Sequence, residues 1–183
     1  MANCDGAVLR DTEVLIDRAR QVVEFYAGDF SPIRTDQLSA LLKSHSCFLK
    51  TFPFESTDLA AFVLPAMRGI YPIGVNRLAS RTDRQFAIRH ELAHVIAGEV
   101  DEPTFLSDDS YMGHSERVAD LFALADLVPG WMLRHMRGDR MSWRDISVEV
   151  RGAIQSECAG GWPADRLEDR TRLRLRLFRE YCV

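Results

Sequence analysis

Residues 82–98 have the sequence TDRQFAIRHELAHVIAG, and the HExxH pattern at their centre, His90-Glu91-Leu92-Ala93-His94, decides both the fold and the chemistry that we expect. Thr82-Asp83-Arg84-Gln85 fits a capping box with an acid in the first turn. Apolar residues then recur at helical spacing, and Gly98 marks the end. The pattern therefore predicts a helix with two histidines four residues apart on one face, where both imidazoles can reach one zinc ion at about 2.0–2.1 Å.

Glu91 follows the first histidine and is rotated by about 100° around the helix axis. It is therefore suited to accept a proton from water beside the metal rather than to bind the metal in the same way. The alternative is a chance match on a buried helix, which composition allows in roughly one chain in a hundred or fewer of this size. Two histidines and a glutamate in so apolar a helix would be costly to bury, and a metal removes that cost.

A third ligand is expected from the stretch Glu116-Arg117-Val118-Ala119-Asp120, which again carries two acids four residues apart. Glu116 would bind the metal, and Asp120 would accept a hydrogen bond from a ligand histidine and fix its tautomer. The alternative is two solvated acids on an exposed helix face, which is the usual meaning of this spacing.

Two segments together resemble the ImmA/IrrE metallopeptidases, namely RQFAIRHELAHVIAGE (84–99) and SERVADLFALADLVPGWML (115–133). The resemblance spans roughly residues 61–133 and is specific in the two helices. It implies one zinc ion per chain, held by His90, His94 and Glu116, with Glu91 as the catalytic base. Asp120 matches the acid that supports a ligand histidine in gluzincins.

The same resemblance implies an α+β, zincin-like fold, in which a small antiparallel sheet packs against the HExxH helix and surrounding helices. The activity implied is peptide-bond hydrolysis, and the partner implied is a helix-turn-helix repressor that is cleaved in a stress or mobile-element response. A non-proteolytic regulator that binds and sequesters a transcription factor is the alternative. We identify no helix-turn-helix in this chain itself.

The flanking patterns predict one domain over residues 1–183. Helices are expected at 12–27, from residue 35, and at 115–128, 131–136, 143–158 and 164–181, with a loop at 99–113. Short apolar runs between Cys47 and Val75 predict the sheet. Pro72 lacks an N–H group, which favours an edge position for the strand Ile70–Val75, where a substrate could pair as an added strand.

A donor for the oxyanion of the tetrahedral intermediate is also required. Tyr111 and His114 precede Glu116 and could supply it, although both could equally be ordinary loop residues. His114 could instead be the third metal ligand, but an acid on the following helix fits the spacing better. His45 and His135 have no partners in the sequence and are interpreted as surface or satisfied residues.

Composition excludes several other classes of protein. The 183 residues are 46% hydrophobic and 27% charged with a net charge of −4, which indicates a globular chain without the basic field that attracts nucleic acid or membranes. No signal peptide or membrane span is predicted, and the four scattered cysteines form no CxxC, so we expect a cytoplasmic protein with free thiols. The arginine-rich segment 164–181 also carries acids, which favours a packed helix over a nucleic-acid-binding one.

Overall fold

The computed structural model describes residues 35–54, 60–101, 104–105, 114–157 and 162–181. They contain six helices and four strands, as the α+β expectation requires. In chain order these are α1 Thr35–Ser44, β1 Cys47–Phe52, β2 Ala61–Val63, β3 Tyr71–Asn76, α2 Arg81–Ala97, β4 Thr104–Phe105, α3 His114–Leu127, α4 Gly130–Gly138, α5 Trp143–Glu157 and α6 Ala164–Tyr181. The helix predicted at 12–27 lies outside the described residues.

The four strands form one mixed sheet in the order β1-β3-β2-β4. Strand β2 is antiparallel to both of its neighbours, but β1 runs parallel to β3. The expectation of a wholly antiparallel sheet is therefore wrong at the β1–β3 pair. Alternating apolar residues predict which face of a strand is buried but carry no information about the direction of its neighbour.

Strand β3 lies inside the sheet, so the prediction that Ile70–Val75 forms an edge is also wrong. Pro72 is tolerated there because of its position at the end of the β2–β3 ladder. Its carbonyl accepts a hydrogen bond from the Leu64 N–H at 3.0 Å, just beyond the last residue of β2. The missing N–H of Pro72 therefore removes one hydrogen bond at the end of the ladder rather than one in its middle. With both sides of β3 paired, a substrate cannot add to this strand.

Helix α2 is bounded by two clear capping residues. The Ser80 hydroxyl accepts a hydrogen bond from the Asp83 N–H at 3.1 Å, so the cap lies two residues before the predicted capping box. At the other end Gly98 adopts a left-handed conformation with φ of 68°, as a glycine stop signal predicts. His90 and His94 both lie between these caps, so the helical period places them on one face.

The described part of the chain has two apolar clusters in its core. The first, which we call the sheet-side cluster, joins the inner face of β2 and β3 to α2 and α3 and includes Val63, Ile73, Leu92 and Phe122. The second, the helical cluster, joins α3 to the C-terminal helices and includes Leu133, Ile146, Ile154 and Phe178. Helix α3 contributes to both clusters and packs along α2, which places the HExxH residues inside the molecule.

Helix α6 has the bounds that the sequence predicts, and it packs against the core as expected. Three of its arginines are buried, Arg166, Arg170 and Arg174, while Arg172 and Arg179 are exposed. Within the described ranges, none of the helices combines the length and the apolar character that crossing a bilayer would require.

Candidate metal centre

Helices α2 and α3 bring His90, His94 and Glu116 together at one point. The Nε2 atoms of the two histidines are 3.2 Å apart. One oxygen of Glu116, Oε2, is 3.1 Å from Nε2 of His90, and the other, Oε1, is 3.3 Å from Nε2 of His94. Both histidines are buried, whereas the Glu116 side chain is 13% exposed, so among the three groups the glutamate is the most accessible to solvent.

These separations fit a divalent cation. Ligands at about 2.0–2.1 Å from a tetrahedral zinc ion are about 3.3 Å from one another. A neutral imidazole whose proton is on Nδ1 presents Nε2 as an acceptor, and a carboxylate only accepts, so two such imidazoles and a carboxylate that face one another favour a cation between them. His90, His94 and Glu116 are also the group among the described residues whose ligand atoms lie close enough to hold a metal. Two nitrogens and one oxygen are a donor set that suits zinc.

The far side of the His90 ring is fixed by Asp120. Nδ1 of His90 lies 2.9 Å from Oδ1 of Asp120, and both side chains are buried. A carboxylate can only accept, so the proton of neutral His90 resides on Nδ1 and the Nε2 lone pair points into the cluster. Asp120 therefore lies against the ring nitrogen of His90 that faces away from the cluster.

The far side of the His94 ring is fixed by a different chain of groups. Nδ1 of His94 lies 3.0 Å from the Ser115 hydroxyl, which donates its proton to the Glu99 carboxylate by a short hydrogen bond. With its only proton given to Glu99, the hydroxyl must accept from Nδ1 of His94. Both histidines are thus held in the tautomer that frees Nε2.

Electrostatics within the cluster favour a charge between the ligands. Burial alone would lower the pKa of His90, but hydrogen bonds to Asp120 and Glu116 outweigh it and raise the pKa to about 10. Burial would raise the pKa of Glu116, yet hydrogen bonds to the two histidines lower it to about 2. Asp120 shifts in the same direction as Glu116, because the Arg166 charge beside it and its bond to His90 oppose the effect of burial on its pKa. Without a metal, these shifts favour a proton on His90 at neutral pH.

The remaining predicted site residues have different outcomes. Glu91 is fully buried on α2, directly after His90. Tyr111 lies outside the described residues, and His114 is the first residue of α3. His135 is an exposed residue that lies 3.4 Å from Asp139 one helical turn away, so it belongs to the surface, as expected.

Sequence reasoning missed four residues that support the cluster. Ser115 and Glu99 hold His94, whereas Arg166 and Arg170 of α6 contact Asp120. Glu99 could have been suspected, because it directly follows the glycine that ends α2. Nothing local distinguishes Arg166 and Arg170 from the other arginines of α6, and only the packing of α6 on α3 brings them to Asp120.

Comparison with known protein families gives one relevant match. Residues 42–154 match the model of a peptidase family that is described as the IrrE N-terminal-like domain. The matched stretch is more than half of the 183-residue chain and contains His90, Glu91, His94, Glu116 and Asp120. No curated protein and no solved structure gives a significant match to this chain.

Proposed function

Since this chain belongs to the ImmA/IrrE family of metallopeptidases, we propose that it is a zinc-dependent endopeptidase that cleaves a helix-turn-helix transcriptional repressor in a stress or mobile-element response. The observation that carries the zinc proposal is the convergence of two Nε2 atoms and the Glu116 carboxylate at separations of 3.1, 3.2 and 3.3 Å. The repressor as substrate rests on the family resemblance alone.

In this proposal His90, His94 and Glu116 hold the zinc ion. When bound, zinc supplies Lewis acidity, which makes a water molecule more acidic and polarises the carbonyl of the peptide bond. The Asp120 carboxylate and the Ser115 hydroxyl keep the two imidazoles in the tautomer that binding requires.

Glu91 acts as the general base in the proposed reaction. Its carboxylate accepts a proton from the attacking water and later returns it to the leaving amine. Glu91 is fully buried and directly follows His90 on α2. Tyr111 and His114 stay candidates for the donor that stabilises the oxyanion.

The first test is metal analysis of purified protein. We expect one equivalent of zinc in the unaltered chain and none in His94→Ala, because two ligands do not hold a catalytic zinc ion tightly. Zinc retained at a full equivalent in His94→Ala would contradict the ligand set.

The second test separates a protease from the sequestering regulator. Peptide-library digestion followed by mass spectrometry measures cleavage, and a chelator should abolish it. Glu91→Gln should retain zinc but lose activity by about 10²–10⁴-fold, because it can no longer transfer the proton. A Glu91→Gln variant that holds zinc and still relieves repression in cells would favour sequestration over proteolysis.

A further inference from the structure

Helix α6 begins ten residues after the end of the matched stretch 42–154, yet two of its arginines reach the metal centre through Asp120. Arg166 Nη2 donates to Oδ1 of Asp120 at 2.9 Å, and its Nε donates to Oδ2 at 3.2 Å, which is a two-pronged pairing of guanidinium and carboxylate. Arg170 Nε donates to Oδ2 at 2.8 Å. The Arg166 guanidinium also stacks on the Trp162 ring at 4.3 Å, and this contact restricts its position.

These contacts leave the Asp120 carboxylate no freedom to turn. An ionised carboxylate offers about four lone-pair positions. The two arginines and Nδ1 of His90 supply donors to both oxygens, and the carboxylate is fully buried. Any rotation that moved Oδ1 away from His90 would break at least one bond to an arginine, so the arginines determine where the ring of His90 points.

A second ion pair holds the same helix to α3. Arg117, the neighbour of Glu116, donates to both oxygens of Asp169 at 2.9 and 3.1 Å. Asp169 also accepts a short hydrogen bond from Nη1 of Arg170. Helix α6 is thus tied to α3 beside Glu116 as well as beside Asp120.

The arginines of this network are deeply buried. Arg170 is as fully buried as Asp120, and Arg166 is 3% exposed. Apolar side chains of similar size could join two helices at least as stably, because charges lose hydration when they are buried. Two buried arginines that converge on one carboxylate hold it through directional hydrogen bonds, whereas apolar contacts are not directional.

We propose that Arg166 and Arg170 are positioning residues of the metal centre, which lock Asp120 so that His90 presents Nε2 to the zinc ion. This inference rests on the proposed metal site and extends the functional unit beyond the matched stretch to α6. The arginines act through Asp120 and do not touch the metal or the substrate.

The test compares Arg170→Met with Arg174→Met. Arg174 is one turn further along α6 and is also fully buried, but its guanidinium donates to the Val128 carbonyl instead of Asp120. Both variants should lower the thermal midpoint of the protein in a chelator. Zinc affinity, measured by competition of zinc alone with a chromophoric chelator, should fall by about 10–100-fold in Arg170→Met and stay within about threefold in Arg174→Met.

A double-mutant cycle with Asp120→Asn provides the second measurement. If Arg170 acts through Asp120, adding Arg170→Met to Asp120→Asn should weaken zinc binding by less than about threefold. Should Arg170→Met fail to fold, Arg166→Met replaces it in both experiments with the same expected result.

The outcomes separate this inference from the proposed function. If the unaltered chain takes up no zinc, the proposed function fails and this inference fails with it. If the unaltered chain binds zinc but the arginine variant binds it as tightly as Arg174→Met, or if the effects of the double mutant simply add, only this inference is overturned.

Discussion

Raising the pH of the metal-free protein from about 7 to about 9 is expected to destabilise it. Hydrogen bonds to Asp120 and Glu116 overcome the effect of burial and raise the pKa of His90 from 6.5 in the unfolded chain to about 10 in the folded protein. The folded state therefore keeps a proton that the unfolded state has lost. The resulting stability is fully present below pH 6.5 and disappears as the pH rises through about 10. The raised pKa of His94 acts in the same direction.

The size of the effect follows from the linkage between protons and folding. One proton more in the folded state changes the free energy of unfolding by about 1.4 kcal/mol per pH unit, so two units remove about 2–3 kcal/mol. His90 is 1% exposed, so solvent hardly screens its interactions. For a chain of this length the loss corresponds to a fall of about 5–10 °C in the thermal midpoint.

Thermal melts in a chelator, followed by circular dichroism at about pH 7, 8 and 9, measure this fall. The series stops there because burial raises the pKa of Cys47 from 9.0 to about 11, and that thiol adds its own dependence above pH 9. In Glu116→Gln the fall should be smaller, because one of the two carboxylates that retain the proton is lost. With zinc bound, the midpoint should no longer fall in this way, since the metal competes with protons for the same nitrogens. A metal-free midpoint that is constant or rises from pH 7 to 9 would refute a proton held between two carboxylates.

Three further substitutions test other parts of the structure. Ser115→Ala removes the group that fixes His94 and should weaken zinc binding by about tenfold in chelator competition. An unchanged affinity would show that Glu99 alone is enough to orient the His94 ring. Ser80→Ala removes the cap of α2 and should lower the free energy of unfolding, measured by urea denaturation, by about 1 kcal/mol. An unchanged urea midpoint would mean that the helix starts at another residue. Ile154→Ala leaves a cavity at a fully buried position in the helical cluster and should lower the free energy of unfolding by about 2–5 kcal/mol. Zinc affinity should stay within about twofold, and a large loss of zinc binding would contradict the separation of the two clusters.

Much of the candidate site could be predicted because the spacing of residues on a helix is a local property. A helical period places His90 beside His94 and Glu116 beside Asp120 whatever the rest of the chain does. The end of α2 at Gly98 and both bounds of α6 also followed from the sequence. The capping box at residues 82–85 was misplaced by two residues, because several polar side chains near a helix start can serve as the cap and only the backbone geometry selects Ser80.

The sheet was predicted less well, because strand direction and order depend on contacts between segments that are distant in the chain. Whether β1 runs parallel to β3, and whether β3 lies at an edge, is decided by which strands pair, and a strand's own residues are compatible with several partners. Pro72 favoured an edge position for β3, because it has no N–H group to donate to a neighbouring strand. At the end of the β2–β3 ladder, however, the missing hydrogen bond costs little stability.

The sequence by itself determined the chemistry that is available, namely two imidazoles and one carboxylate on two helices with an acid to support them. Only the tertiary structure decided that these groups meet, since Glu116 is 26 residues from His90 and the contact depends on how α3 packs along α2. The tertiary structure also decided that Arg166 and Arg170 are buried against Asp120 rather than exposed to solvent, although they lie 46 and 50 residues further along the chain. A helical repeat fixes neighbours within a few turns, whereas the approach of distant helices is set by the burial of apolar surface over the whole molecule.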